Sequence, residues 1–507
     1  MTTAGGAPAD HGGMTSAAAR PAVAAAGSVV LPLALAQFVC SYAGSNMNVA
    51  ITTIADDIGT TVVGMQTTIT LFTLTMASLM IPGSKLTDIW GRKVCFMWGL
   101  AIYGTGALLA SLAQGLPLMI FGYSLLEGVG SALLIPPIYI LVTVLFTDTK
   151  TRAKYFGMIS GAAGLGAAAG PLIGGLITSA VSWRASFILQ VLIVGVVALL
   201  ARKIDDPPRV GAAPHFDLGG AVLSALGLFF VVYGILQSST YGWFSSRQDF
   251  TIGGTVIIPK GGISPVWLFF AIGCVFLAWF FLHIRSTEKK GHDPLVAIRL
   301  FRNKTSNLGL VTQNIQWLTM QGSFFVISVF MQDVRHYSAV QTGLMLTPTT
   351  IGVLLLAAAA ERLAKRRSQR FLIRRGFAAT VIGLLLVLAL GRADSSVWSF
   401  VPGLFIVGAG IGVMLTSSVN VVQSAFPEKD QGDISGISRS VSNLGSSLGV
   451  ALAGSVLAAE VLPGNRDFAL SLIIMIVIAA IGFVTAILIP KGHATAAPTE
   501  SAQPATP

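Results

Sequence analysis

Charge is what this chain has least of. Charged residues occupy 10% of its 507 positions, against about 25% in soluble domains. Hydrophobic residues fill 53%, and mean hydropathy is +0.77. An ordinary soluble domain is excluded, and a polytopic membrane protein is implied. Cysteine is nearly as scarce. Cys40, Cys95 and Cys274 fall in apolar stretches at unrelated spacings, so neither a disulfide framework nor a metal site is indicated. Residues 1–27 are rich in Ala, Gly, Thr and Pro and lack the basic start and short apolar core of a signal peptide. They are expected to form a disordered cytoplasmic tail. No nucleotide-binding P-loop is present, so ATP is not indicated as a source of energy. The formal net charge of +11 would suit nucleic acid only if the bases clustered on a soluble face. They lie instead between apolar runs, where topology accounts for them.

What the chain does contain is fourteen apolar segments of membrane-spanning length. They run near 29–52, 65–82, 94–113, 117–145, 156–179, 183–201, 217–238, 264–284, 305–332, 339–360, 371–391, 398–424, 434–461 and 467–490. Lys and Arg concentrate in cytoplasmic loops. With both termini inside, the basic residues left on the outer side are Arg184, Arg247, Lys260, Arg335, Arg392 and Arg466, out of 32. Omitting one span would reverse every side beyond it and spoil that partition. The basic run 362–375 is then an inner loop. In the outer connection 239–263, Thr-Ile-Gly-Gly-Thr-Val-Ile-Ile predicts a small hairpin around Gly253-Gly254.

Three stretches have a pattern of their own. Gly157 to Gly175 reads G-M-I-S-G-A-A-G-L-G-A-A-A-G-P-L-I-G-G. In water each interior Gly would cost a helix about 1 kcal/mol against Ala. In lipid the backbone has no other hydrogen-bond partner, and small residues let a neighbouring helix approach closely. Pro171 should bend that helix. The second stretch, Ser84 to Lys93, follows span two and contains Asp88, Gly91, Arg92 and Lys93. The third, in span thirteen, is Ser435-Gly436-Ile437-Ser438-Arg439 followed by Leu444-Gly445-Ser446-Ser447-Leu448-Gly449-Val450-Ala451.

Together these stretches resemble the major facilitator superfamily, in particular its 14-spanner drug:proton antiporters. That family's antiporter motif is met in full, in the fifth span, by Gly157, Gly166, Gly170, Pro171, Gly174 and Gly175. Its implied role is a close-packed seal against proton leak. The inner-loop motif is matched at Asp88, Gly91, Arg92 and Lys93, with Ser84 in place of a Gly and Ile89 in place of an Arg. The resemblance implies that Asp88 clamps the two halves through the helix dipole at the start of span thirteen. Arg439 either meets Asp88 or snorkels. Gln332, Tyr337 to Gly343, Pro348, Asp217 with Gly219, and Gly242-Trp243 extend the similarity. The departures are specific. Span four reads Ser124-Leu125-Leu126-Glu127-Gly128-Val129-Gly130 where the family has Arg-x-x-Gln-Gly-x-Gly. In span one, Ala43 stands where the family has Asp, and Ala50-Ile51-Thr52 stands where it has Ala-Leu-Pro.

Glu127 lies some ten residues into its span, about 15 Å deep at 1.5 Å per residue, near the middle of a ~30 Å core. A charged carboxylate there costs at least about 2.5–3.5 kcal/mol. Either its protonation follows the wetting of a cavity, as a proton-coupled carrier needs, or it is permanently neutral and bonded to Tyr123, Ser131 or a backbone carbonyl. In span nine, Gln313, Gln316, Trp317 and Met320 share one helical face by spacing. Amides beside an aromatic ring and a thioether suit an amphipathic guest, or they bond only to neighbouring helices. Asn46 and Asn48 in span one offer further hydrogen bonds but face differently.

The expected fold is all-α, a major facilitator fold with 14 transmembrane helices. An N-terminal six-helix bundle would span 28–203 and a C-terminal one 301–490. Two extra transmembrane helices would fall in 204–300, and 491–507 would form a second cytoplasmic tail. The expected function is secondary transport, not enzymatic catalysis. It would be proton-coupled efflux of hydrophobic or amphipathic small molecules such as drugs or secondary metabolites. The proton gradient would drive it without a cofactor. The protein would act as a monomer in the lipid bilayer of the bacterial inner (plasma) membrane, with no nucleic-acid partner. Proton symport on the same fold is the alternative. A non-transporting receptor is a weaker one, since it would leave Glu127 a cost without purpose.

Overall fold

Apolar runs in a medium without hydrogen-bond partners have to close their own backbone bonds, and these do so as helices. The computed structural model describes residues 19–146, 149–204, 206, 216–252, 255–364, 367–392, 394–426, 431–459 and 466–490. The first part of the chain forms α1 Ala19–Asn46, the short α2 Ile51–Asp57, α3 Val62–Trp90, α4 Arg92–Ser111, the short α5 Leu116–Met119, α6 Gly128–Leu145, α7 Thr149–Ala180 and α8 Trp183–Ala201. A π-helical segment, Ile120–Glu127, joins α5 to α6. Next come α9 Leu218–Tyr241 and α10 Pro265–Lys289. The second part forms α11 Lys304–Val329, α12 Ala339–Ala364, α13 Gln369–Leu390, α14 Val401–Gln423, α15 Gln431–Leu457 and α16 Arg466–Leu488. A second π-helical segment, Phe330–Val334, closes α11.

Twelve of the described helical stretches are long and apolar enough to cross a membrane, and a bent pair brings the number to 13. That pair is Gly161–Ala167 with Ala169–Ala180, bent by 43°. The bend falls where Pro171 leaves the Ala167 carbonyl without its i+4 donor. The expected count of fourteen is missed at α11. It is a 26-residue helix, but it is too polar to rank with the other spans. Its polar groups are not offered to lipid, for every residue from Leu318 to Val329 is buried. The N-terminal boundary also differs from expectation. The Ala-rich sequence from Ala19 is already helical, as Ala favours helix strongly. The rest of both expected tails lies outside the described residues.

In the first part α1 packs on α7, while α4 packs on α6 and α8. In the second part α14 packs on α12 and α13, and α11 packs on α15 and α16. The two parts meet along α3–α15 and α7–α12. Helix α9 lies against both α3 and α15, and α10 covers α9. The expected hairpin is present as β1 Phe250–Ile252 and β2 Thr255–Ile258. The strands are antiparallel with Ile252 opposite Thr255. The two connecting glycines lie outside the described residues. At the same end, Asp57 at the end of α2 accepts from Arg184 and, at 3.1 Å, from the Trp183 indole of α8. Arg184 also donates to the Ala113 carbonyl, 2.9 Å away.

Asp217 caps α9. Its carboxylate accepts from the Gly220 amide at 2.8 Å and the Leu295 amide at 3.1 Å, and it meets His283 Nε2 at 2.8 Å. Burial alone would raise its pKa, but the two amides and His283 outweigh burial and hold it below the ordinary 3.8. A depressed folded-state pKa contributes stability that is complete above the ordinary carboxylate range. It is lost as pH falls through the lower folded value. Asp217→Ala should therefore remove about 1 kcal/mol of capping at neutral pH. The difference from the parent should shrink as pH falls below the ordinary carboxylate range. Melting curves in detergent across that pH range test both statements, and a pH-independent difference would contradict the second.

Candidate functional site

Where the two halves meet, α1, α3, α11 and α15 enclose a central cavity of about 50 Å³. Its wall carries polar side chains, among them Gln37, Thr73, Gln321, Asn443 and Arg439, with Phe72 and Trp317 as aromatic surfaces. That volume suits one or two waters, each claiming about 30 Å³ of liquid. Drug-sized pockets measure roughly 300–1,000 Å³. The helices thus leave little room between them at this level.

The closure toward the outer end is made of identifiable contacts. Thr52 Oγ1, just beyond α1, donates to Gln332 Oε1 at 2.8 Å. Gln332 Nε2 in turn donates to the Asn48 carbonyl at 3.2 Å and to the Ser328 carbonyl at 3.0 Å. Between α7 and α12 the Val340 amide donates to Ser179 Oγ at 3.0 Å. The glycines of α7 account for the close approach. A Cβ on Gly166 would lie 2.4 Å from the Phe38 carbonyl oxygen of α1. One on Gly170 would lie 2.0 Å from Ser45 Oγ, and one on Gly174 would lie 3.0 Å from Asn46 Cβ. Residues four apart share a helix face, so these three present one smooth stripe to α1. The opposite partner is α12. A Cβ on Gly175 would sit 2.5 Å from the Ala339 oxygen, and one on Gly343 would sit 2.6 Å from the Pro171 oxygen. Gly157 belongs to the same helix, but its surroundings lie outside the described residues.

Glu127 ends the first π-helical segment and is fully buried. Among the described residues, neither carboxylate oxygen accepts a hydrogen bond of ordinary geometry, and the Tyr103 hydroxyl beside it is directed to Gln190 and the Val39 carbonyl. Of the other groups that could fix a neutral Glu, Tyr123 Oη donates to the Ala43 carbonyl at 2.8 Å, and Ser131 is within hydrogen-bonding reach of Cys40. Around Glu127 the first half carries a buried polar layer. Tyr103 bonds Gln190, and Tyr42 and Asn46 both meet Ser186. Cys40, Tyr103 and Tyr123 are electrostatic neighbours of Glu127. Cys40 also lines the central cavity, whereas Glu127 does not. Single-turn π segments recur at functional sites, and both π segments here hold a polar group of the central region, Glu127 and Gln332.

The four span-nine candidates separate. Trp317 lines the cavity. Gln313 donates to Ser442 at 2.8 Å and accepts from Ser438 at 2.9 Å, both on α15. Gln316 accepts from Ser418 of α14 at 2.9 Å, and Met320 is buried in the core. Asn46 faces Ser186 of α8, whereas the side chain of Asn48, beside the Gln332 latch, has no partner among the described residues. Gln37, Asn443 and Gln321 are cavity amides that spacing did not single out; Gln321 Nε2 donates to the Gly44 carbonyl at 2.9 Å. It stands four residues after Trp317, on the same row of the helix.

The inner-loop motif joins helices within the first half. Gly91 turns the chain between α3 and α4 with φ of 107°, a region that favours glycine. Arg92 pairs with Asp206 at 3.4 Å. The Lys93 amide donates to the same carboxylate at 3.1 Å, and its Nζ donates to the Arg202 carbonyl at 2.9 Å. The Asp88 side chain lies outside the described residues. Arg439 meets Tyr139 of α6, through the hydroxyl and with its guanidinium 4.7 Å from the ring centroid.

Comparison with known proteins agrees with this architecture. A family profile described as Major Facilitator Superfamily matches residues 33–259 and 250–450. The chain is 26% identical to the multidrug resistance protein Stp of Mycobacterium tuberculosis (strain CDC 1551 / Oshkosh), over 78% of this chain and 69% of that one. It is 27% identical to the puromycin resistance protein pur8 of Streptomyces alboniger, over 83% and 80%. The probable actinorhodin transporter of Streptomyces coelicolor (strain ATCC BAA-471 / A3(2) / M145) is 26% identical over 82% and 69%. Among solved structures, that of the human organic anion transporter MFSD10 (TETRAN) aligns with a TM-score of 0.58, at 16% identity, over 90% of this chain and 99% of that one. That likeness concerns the fold.

The glycine stripe makes a contrast that can be measured. Gly166→Val should lower the melting temperature of the purified protein, because the Phe38 carbonyl cannot move aside and overpacking costs about 1–3 kcal/mol. Gly161→Ala, where a Cβ meets nothing within 4 Å, should leave it unchanged or slightly raised. Equal melting temperatures for the two variants would remove the packing role.

Proposed function

The chain belongs to the major facilitator superfamily, and from that premise we propose that it exports amphipathic small molecules in exchange for protons. The observation that carries the coupling is Glu127. It is a fully buried carboxylate that accepts no hydrogen bond of ordinary geometry among the described residues, and its electrostatic neighbour Cys40 lines the cavity. An unsatisfied polar group in a dry site is costly. Opening the cavity to water lets the group ionise, and closing it favours the proton. The group thus links protonation to the conformational cycle. No arginine accompanies it on span four and no aspartate on span one, so Glu127 acts without the family's usual partners. The export direction draws support from the full glycine motif on α7 and from the relatives, which are named as resistance and transport proteins.

In this reading residues 28–203 and 301–490 form two bundles that rock about α3–α15 and α7–α12, and the cavity opens alternately to each side. Helices α9 and α10 are the two additional spans. The Gln332 latch holds the outer end shut. Its hydrogen bonds are worth about 0.5–1.5 kcal/mol each, weak enough to break in every cycle. The protein works as a monomer in the bacterial plasma membrane with both termini in the cytoplasm. Asp88 and Arg92 at the inner loop act on the opposite closure.

Everted vesicles from an overproducing strain test the coupling, using a toxic compound against which overproduction protects growth. Addition of that compound should release protons from the vesicle lumen, while symport would give the opposite sign. Glu127→Gln, at parental abundance in the membrane, should lose at least tenfold of the gradient-driven rate while retaining exchange without a gradient. An unchanged gradient-driven rate would show that the coupling lies elsewhere.

A further inference from the structure

The charge on the cavity wall says more about the cargo than the family does. Of the described residues lining the cavity, Arg439 is the charged one. It keeps part of its surface accessible, and among the described residues no carboxylate pairs with it. The register of α3 against α15 separates it from the inner-loop acid. Gly436 lies against Ser84, and Ser440 donates to the Ala77 carbonyl. Positions 88 and 439 are therefore offset by about 10 Å along the helices, at 1.5 Å per residue. Glu127 is not among the residues that line the cavity.

A guanidinium has five N–H donors and suits a bidentate carboxylate. Here it has a tyrosine face and hydroxyl instead. That tyrosine sits on α6, in the other half of the molecule. The same wall carries Phe72 and Trp317 as flat apolar surfaces, with Gln321 and Asn443 as amide partners. We propose that Arg439 is the recognition residue for an amphipathic aromatic anion, so that the cargo of this carrier is negatively charged. The inference rests on the transport reading above and adds the chemical class of the substrate. In this arrangement Tyr139 engages the guanidinium that the anion would take. An arriving carboxylate or sulfonate takes the guanidinium from it and so loosens a contact that joins the two halves. A cationic guest finds no carboxylate on this wall and meets Arg439 instead.

The test uses two dyes with the same xanthene ring and opposite charge, fluorescein and rhodamine 6G, in respiring everted vesicles. The parent should accumulate fluorescein and not rhodamine 6G. Arg439→Gln, with abundance and gel-filtration profile unchanged, should lose at least tenfold of fluorescein transport, and Arg439→Lys should restore part of it. Tyr139→Phe should lower the KM for fluorescein, because the competing hydroxyl is gone. Accumulation of rhodamine 6G and not fluorescein by the parent overturns the anion assignment and leaves export standing. Parental fluorescein transport by Arg439→Gln also overturns it. Transport of neither dye by abundant parent protein counts against both readings. Should Arg439→Gln fail to reach the membrane, the charge preference of the parent decides.

Discussion

Polar side chains carried below the membrane surface have to find partners on neighbouring helices, because hydrocarbon supplies none. Most of the interior obeys this constraint. Gln313 is held by two serines of α15, Thr73 meets Ser447 at 2.6 Å, and Asn314 donates to the Val441 carbonyl at 2.8 Å. These bonds fix which helices lie together, and they explain how a helix as polar as α11 stays at the centre. Among the buried groups left without a partner among the described residues are Asn48, beside the Gln332 tie between the two halves, and Glu127, within the polar layer of the first half.

The second element of the design is distance. Hydrogen bonds between α1 and α7 are few, and the two helices are held by contact between backbones that only glycine permits. The same device recurs in the second half, where Cβ atoms on Gly445 and Gly449 would each lie 2.3 Å from a carbonyl oxygen of α11. Within each half, close backbone packing makes a stiff unit. Between the halves, α7 and α12 also bring their backbones close at Gly175 and Gly343, and side-chain hydrogen bonds such as Thr52 to Gln332 add exchangeable ties at the outer end.

Much of this was legible in the sequence. Apolar length, basic loops and glycine spacing gave the helices, the hairpin and the stripe on α7, because each depends on local pattern. What resisted reading was which way a polar face points. Gln313, Gln316, Trp317 and Met320 share a face by spacing, yet the amides turn to α15 and α14 while Trp317 reaches the cavity. Helical periodicity defines a stripe but not the neighbour it meets. Thr52 shows the same limit. By resemblance it was only a departure from a family proline, whereas its hydroxyl, which proline lacks, supplies an outer tie. The count of spans failed at α11 for a related reason, since hydropathy records composition and not what the residues face.

A cavity whose wall charge is a lone arginine also changes what drives the cycle. Bacterial cytoplasm is electrically negative, and each elementary charge crossing the membrane is worth about 2.3 kcal/mol per 100 mV. An anion leaving the cell moves down that voltage, whereas a cation would have to climb it. On the proposed reading, a carrier that selects anions through Arg439 draws on the membrane voltage with every molecule it expels. It can work with a smaller pH difference and with fewer protonatable groups than a pump for cations. The absence of the acid on span one and the arginine on span four then fits a machine whose cargo supplies part of its own driving force.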